Sequence, residues 1–196
     1  PRPDERHITI KDTYEISKIV KTNYNIEGYP DDRFIKIISD IKPEQATLVP
    51  DTHDVITSDQ GWDTVKNKSF LIEVIKKLKS FGTKVSIFIN PEIEYVEGAF
   101  DCGADRIELY TGDYSSDYLQ DKNNSIKKYL NASLKGKELN MDVNAGHDLN
   151  LDNLKYFKSK ISFLFEVSIG HALISDSIYY GIENTIKKYL AELNYE

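Results

Sequence analysis

The sequence predicts an α/β protein built from successive βα units around a parallel sheet. Three observations predict it. Short apolar, β-branched stretches alternate with longer stretches of helical period. Polar residues gather at or just after the carboxyl ends of the strand-like stretches, where α/β architectures place their chemistry. The chain has 196 residues, 40% of them hydrophobic, enough to bury one sizeable core without the bias of a disordered or fibrous protein.

Six strands are expected, over approximately Asn23 to Tyr29, Gln45 to Pro50, Lys84 to Asn90, Asp105 to Thr111, Asn140 to His147 and Phe163 to Gly170, each followed by a helix. An amphipathic segment, Lys11 to Val20, precedes the first strand. After that strand, Pro30 and Asp31 open a helix with Phe34, Ile35, Ile37, Ile38 and Ile41 on one face, and Pro43 lies just beyond its end. The next helix carries Leu71, Val74, Ile75, Leu78 and Phe81 and stops at Gly82, a residue suited to the left-handed turn that follows a helix. Pro91 starts a shorter helix with Ile93, Val96, Ala99 and Phe100 inward and Gly103 at its end. Residues from about Ser125 to Leu134 repeat the pattern. Asn150 is expected to cap Leu151 to Lys158, and Ser175 or Asp176 to cap a closing helix through Ile182, Ile186 and Leu190.

Six units of roughly 25 to 30 residues do not close an eight-stranded barrel, which occupies about 250 residues. The pattern leaves two architectures open, an open sheet or a barrel lacking two strands, because both share the same local alternation. The chain begins at Pro1 rather than Met, from which residues are expected to be missing upstream.

The net charge of −7 argues against nucleic acid or an anionic membrane as the main partner, since the field of the protein repels both. An anionic substrate must then be held by local groups. Cys102 is the single cysteine, so no intrachain disulfide forms, and a reducing compartment, the cytoplasm, is expected. No apolar run approaches the roughly 18 to 20 residues that span a bilayer. The four histidines show no zinc-ligand spacing, so no structural metal is expected.

Four side chains stand out at strand ends. Glu27 lies in Asn25-Ile26-Glu27-Gly28-Tyr29, Glu108 in Arg106-Ile107-Glu108-Leu109-Tyr110-Thr111, His147 closes Asn144-Ala145-Gly146-His147, and His171 follows Ile169-Gly170. A lone Glu in an apolar strand is often a paired structural carboxylate, but two in equivalent positions suit proton transfer, with burial raising their pKa and a nearby cation lowering it. Small residues before His147 would let a substrate approach the backbone closely; the alternative is a structural histidine. Gly170-His171 begins the last helix, where free N–H groups and the dipole favour phosphate, although the glycine can equally serve a turn. Arg2, Arg6 and His7 in one Pro-containing loop can clamp an oxyanion or stand solvated. Thr57 and Ser58 can donate hydroxyls to a phosphate or form a turn, and Trp62 reads as a packing anchor.

Taken in order, Arg2-Pro3-Asp4-Glu5-Arg6-His7-Ile8, Asn25-Ile26-Glu27-Gly28-Tyr29-Pro30, Leu48-Val49-Pro50, Thr57 to Asp63, Gly103 to Thr111, Val143 to His147 and Ile169-Gly170-His171-Ala172 resemble the pyridoxine 5'-phosphate synthase family along essentially the whole chain. The resemblance implies a (β/α)8 TIM barrel whose first two strands are absent, so that residues 1–196 form a single, amino-terminally incomplete barrel domain of units three to eight. By the same likeness roughly 45 residues precede Pro1 in the family, bringing the total near the usual barrel length. Those residues would supply an Asn, a polar and basic pair, an Arg, and a catalytic His just before the position of Pro1.

The implied activity is a transferase-type synthesis. It condenses 1-deoxy-D-xylulose 5-phosphate with 3-amino-2-oxopropyl phosphate to pyridoxine 5'-phosphate, phosphate and water, with no cofactor. By position, Glu27 resembles the proton acceptor, Glu108 the transition-state stabiliser and His147 the proton donor. Arg2, His7 and Thr57 match positions holding the deoxyxylulose phosphate, and Gly170 and His171 the backbone site for the aminoketone phosphate. Asp148 falls where some relatives have a Gly at that second site. A homo-octamer built of dimers is implied. The competing readings are another phosphosugar isomerase, epimerase or lyase on the same barrel, since a fold does not fix chemistry, and an inactive fragment retaining only binding surfaces.

Overall fold

A computed structural model describes residues 1–2, 4–51 and 59–193. All six expected strands form: β1 (Asn25–Gly28), β2 (Gln45–Leu48), β3 (Lys84–Ile89), β4 (Arg106–Tyr110), β5 (Asp142–Gly146) and β6 (Glu166–Ser168). Each pairs in parallel with the next, so spatial order equals chain order. A doubly wound sheet would reverse that order at a switch point. Here the sheet winds one way and curls into a half-barrel, bringing side chains of its two edge strands together: the Ser168 hydroxyl donates to Glu27 Oε1 at 3.2 Å.

Among the described residues nine helices alternate with these strands. Helix α1 (Ile10–Ile16) opens with a capping box, in which the Thr9 hydroxyl accepts from the Asp12 amide and the Asp12 carboxylate accepts from the Thr9 amide. Helix α2 (Asp32–Ile41) begins where the Asp31 carboxylate accepts from Phe34 N at 2.7 Å, and it buries Phe34, Ile37 and Ile38 against the sheet. Helix α3 (Lys68–Lys79) buries Leu71, Val74, Ile75 and Leu78, and the chain turns at Gly82 with φ +90°.

Helix α4 (Ile93–Asp101) buries Val96 and Ala99 as expected, and Gly103 turns at φ +85°. Ile93 and Phe100, expected inward, are about half exposed. Inward space on α4 goes to small residues instead: Gly98 lies so close to the Thr64 side chain that a Cβ would collide with it. After β4 comes α5 (Gly112–Ser125), which the apolar periodicity did not announce because its sequence is mostly polar. It is anchored by few groups, chiefly Tyr114, whose hydroxyl donates to Asn153 O at 2.7 Å. Helix α6 (Lys127–Glu138) follows.

Asn150 caps a turn rather than the helix itself. Its side chain accepts from Asp152 N at 2.9 Å and Asn153 N at 3.2 Å, and α7 (Leu154–Lys160) starts after that turn. The closing segment is two helices, α8 (His171–Tyr180) and α9 (Ile182–Leu193), divided at Gly181 with φ +75°. Ser175 and Asp176 therefore lie inside α8 and cap nothing; the Asp176 carboxylate instead accepts from the Tyr189 hydroxyl at 2.7 Å, tying α9 to α8. No helix among the described residues is long and apolar enough to cross a membrane.

The main core lies between sheet and helices, where Ala46, Leu48, Val85, Ile87, Ile89, Ile107, Leu109, Val143 and Ala145 point outward into the helical layer. With a side-chain period of two, the alternating residues face the concave side. Apart from Phe88 and Gly146 they are mostly polar: Asn25 and Glu27, Gln45 and Thr47, Ser86, Arg106 and Glu108, Asn144, Glu166 and Ser168. Strand pairing therefore decides which polar groups meet.

Candidate active site

The concave side opens at the carboxyl end of the sheet into a cavity of about 860 Å³. Residues singled out from the sequence line it together: Arg2, Arg6, His7, Glu27, Glu108, His147, Asp148, Gly170 and His171. Thr57 lies outside the described residues. Trp62 is not in the cavity wall; it is buried between the rings of Tyr29 and Phe70, each 5.9 Å away, as a packing anchor.

The two carboxyl groups occupy different environments. Glu108 is 2% exposed, and its Oε2 has no hydrogen-bond partner. Burial, then the negative charge of Glu27, holds the Glu108 carboxyl well above the usual carboxylate range. Glu27 sits on the edge strand, where solvent still reaches it, and its Oε1 accepts from Ser168 Oγ and Asn25 Nδ2, both at 3.2 Å. The protein around it raises its pKa as well, with the Ser168 bond opposing and the Glu166 charge adding to the rise. Because solvent reaches Glu27 and two donors favour its charged form, we read its rise as the smaller. Neighbouring carboxyls held apart in this way are suited to divide acid and base work.

Gly146 explains how Glu108 fits. A Cβ on Gly146 would collide with Glu108 Oε1 and approach Ser168 Cβ within 3.1 Å. The small residue before the imidazole thus makes room for a carboxyl group of the protein. His147 and Asp148 both adopt left-handed backbone, at φ 91° and 58°, a conformation that costs a non-glycine residue about 1–2 kcal/mol. Donors from α5 and its surroundings hold them there. Thr111 Oγ1 donates to Gly146 O at 2.8 Å and also engages His147 O, while Ser115 Oγ donates to Asp148 O at 2.6 Å. His147 Nδ1 lies 2.9 Å from Asp148 Oδ2, and the ring packs edge-on to Tyr110.

Two loci suit phosphate. At one, α8 begins at Gly170 with no side-chain cap, so the first-turn N–H groups remain available at the cavity wall. At the other, Arg2, Arg6 and His7 line the cavity beside Val49. Arg2 reaches Asp51 at 3.6 Å, Arg6 pairs with Asp4 at 2.9 Å, and the His7 ring packs edge-on to His171 at 6.0 Å, which joins the two loci.

Sequence reasoning missed Ser168, Ser115 and Phe88, which also line the cavity. Ser168 carries no motif signal of its own. Only the β5–β6 register, which pairs it with Gly146, reveals that it faces the carboxyls.

Known proteins resemble this chain along nearly its whole length. Three curated relatives carry the name pyridoxine 5'-phosphate synthase. That from Cytophaga hutchinsonii is 53% identical over 98% of this chain and 81% of its own length, that from Flavobacterium johnsoniae 49%, and that from Porphyromonas gingivalis 47%, with the same coverage. Two solved structures share the fold at low identity. One described as native KDPGal has a TM-score of 0.57 at 13% identity, covering 97% of this chain and 79% of its own. The Amycolatopsis orientalis BexX/CysO complex has a TM-score of 0.59 at 12% identity, covering 98% and 77%. The family model described as pyridoxal phosphate biosynthesis protein PdxJ matches residues 1–195, and with relatives of such identity along nearly its whole length, this chain belongs to the PdxJ family.

Proposed function

We propose that this protein is a pyridoxine 5'-phosphate synthase, condensing 1-deoxy-D-xylulose 5-phosphate with 3-amino-2-oxopropyl phosphate to give pyridoxine 5'-phosphate, phosphate and water. The observation that carries the reading is the convergence of two unlike carboxyls, one imidazole and two phosphate loci in one cavity, in a member of this family. The reaction needs a protein that holds two phosphorylated molecules close together and moves protons between them.

In this reading Glu27, the more readily ionised carboxyl, accepts a proton from the condensing substrates. Glu108, kept protonated by burial, donates a hydrogen bond where negative charge develops. His147 returns a proton to the leaving oxygen. Arg2 and His7, with Thr57, hold the deoxyxylulose phosphate. The backbone at Gly170 and His171, with the Asp148 N–H, holds the aminoketone phosphate. The cavity is of a size that takes two small phosphorylated ligands. The same reading extends to closure of the sheet by two further strands into an eight-stranded barrel, to assembly as an octamer, to residence in the cytoplasm, and to small phosphorylated partners rather than nucleic acid or membrane.

Incubation of the protein with both substrates, followed by chromatography of the products, tests the activity. Formation of pyridoxine 5'-phosphate and release of inorganic phosphate are expected. Glu27→Gln should lower turnover by about 100-fold or more, as for loss of a general base. If neither substrate is consumed while other sugar phosphates turn over, the reaction belongs to another class of barrel enzyme. If Glu27→Gln keeps full turnover, its role as acceptor fails.

A further inference from the structure

On the concave side of the sheet a chain of hydrogen bonds runs from a buried cation to Glu27. Arg106 Nη1 donates to Gln45 Oε1, Gln45 Nε2 to Thr47 Oγ1 at 3.2 Å, Thr47 Oγ1 to Asn25 Oδ1 at 3.0 Å, and Asn25 Nδ2 to Glu27 Oε1 at 3.2 Å. Gln45 and Thr47 are fully buried and Arg106 is 4% exposed. The direction of every link is set by the two ends. A guanidinium can only donate and a carboxylate can only accept, so each amide between them must turn its oxygen toward Arg106 and its nitrogen toward Glu27.

We propose that Arg106, Gln45, Thr47 and Asn25 form a one-way hydrogen-bond relay that positions Glu27 and makes it the ionised member of the Glu27/Glu108 pair. The inference rests on the reading of Glu27 as proton acceptor and adds how the two carboxyls come to differ. Polarised links strengthen one another at low dielectric, and a chain ending on an anion favours the charged form. Glu108 stands off this line: Ser168 and Thr47 hydrogen-bond its carboxyl, but they do not outweigh its burial, and its Oε2 is buried without a partner. Arg106 is itself fixed by Asp142 at 3.1 Å and by the Phe165 ring 4.2 Å below the guanidinium, so the cationic end cannot swing away. Arg106, Gln45, Thr47 and Asn25 are positioning residues, acting on the reaction through Glu27.

The charged and titratable groups facing Glu27 are Glu108 on β4 and Glu166 on β6, with Arg2, Arg6, His7, His147 and His171 in the same cavity. The test leaves all of them in place. In a Gln45→Met/Arg106→Met variant both partners of the first link become apolar together, which spares the fold an orphaned buried donor. The acidic limb of the kcat/KM profile is expected to move up by on the order of one pH unit, with KM nearly constant. Thr47→Val, an isosteric break one link further on, should shift Glu27 in the same direction; since Thr47 also hydrogen-bonds Glu108, this variant is read by the titration of Glu27 itself. A merely structural role would lower kcat at every pH without moving the limb.

Titration of the Glu27 side-chain carbon in protein labelled with 13C-glutamate, assigned by its loss in Glu27→Gln, reads the same quantity without catalysis. An upward shift in both variants is expected. Unchanged Glu27 titration in folded variants overturns the relay. Full turnover by Glu27→Gln would instead overturn the acceptor role, leaving the titration to judge the relay alone.

Discussion

Replacing Glu108 by Gln is expected to stabilise the protein, and increasingly so as pH rises. The folded state holds this carboxyl well above the ordinary value of 4.5, mainly because it is buried and secondly because Glu27 lies nearby. Between the unfolded and folded pKa values the native state therefore binds a proton that the unfolded state has released. The unfolding free energy falls with rising pH across that window, by about 1.4 kcal/mol for each unit traversed. Nothing is lost below the unfolded pKa, and the loss is complete above the folded one.

Gln is neutral throughout and escapes this loss. Its amide meets a site where Glu108 Oε2 already lacked a partner, which adds a pH-independent offset of about 1–3 kcal/mol at most. The slope is therefore the diagnostic quantity. For a chain of this size about 1.4 kcal/mol corresponds to roughly 3–6 °C in Tm. Scanning calorimetry of wild type and Glu108→Gln from about pH 4 to 9 should show a Tm difference that is flat at the acidic end and climbs by that amount per unit until the folded pKa is reached. A difference independent of pH would mean that Glu108 titrates as it does in the unfolded chain. A difference that shrinks with rising pH would mean that the native state favours the charged carboxylate, and the argument from burial would be wrong.

Two further outcomes follow from the cavity. Gly146→Ala drives a methyl into the Glu108 carboxyl and against Ser168, so it should cost about 1–3 kcal/mol by overpacking and lower kcat at least about 10-fold as Glu108 is displaced; calorimetry and steady-state rates check both, and an unaltered kcat would show that the carboxyl position is not critical. Arg2→Ala removes a charge-assisted donor from a partly exposed loop, so KM for deoxyxylulose phosphate should rise about 10-fold or more while Tm changes little; equal KM would assign Arg2 to its ion pair with Asp51 alone.

The local sequence determined the elements. Strands β1 to β6 were legible as short stretches in which apolar or β-branched residues alternate with the residues of the concave side, and α2 and α3 because their apolar residues recur at helical spacing. Where a helix lacks that stripe, as in α5, periodicity had nothing to report; in α4, where small residues take buried positions, it gave the helix but not the exposure of Ile93 and Phe100. The site residues Glu27, Glu108 and His147 stood out from the sequence because each ends or interrupts an apolar strand.

Only the tertiary structure decided that these residues share one cavity with Arg2, His7 and His171, because that depends on the parallel strand order and the curl of the sheet. It also decided what Gly146 and Ser168 are for, and which carboxyl is buried and which is reached by solvent. Register is the physical reason. A side chain's partners across parallel strands lie about twenty to forty residues away along the chain, as Gln45 lies from Asn25 and Asp142 from Arg106, so no local window contains them.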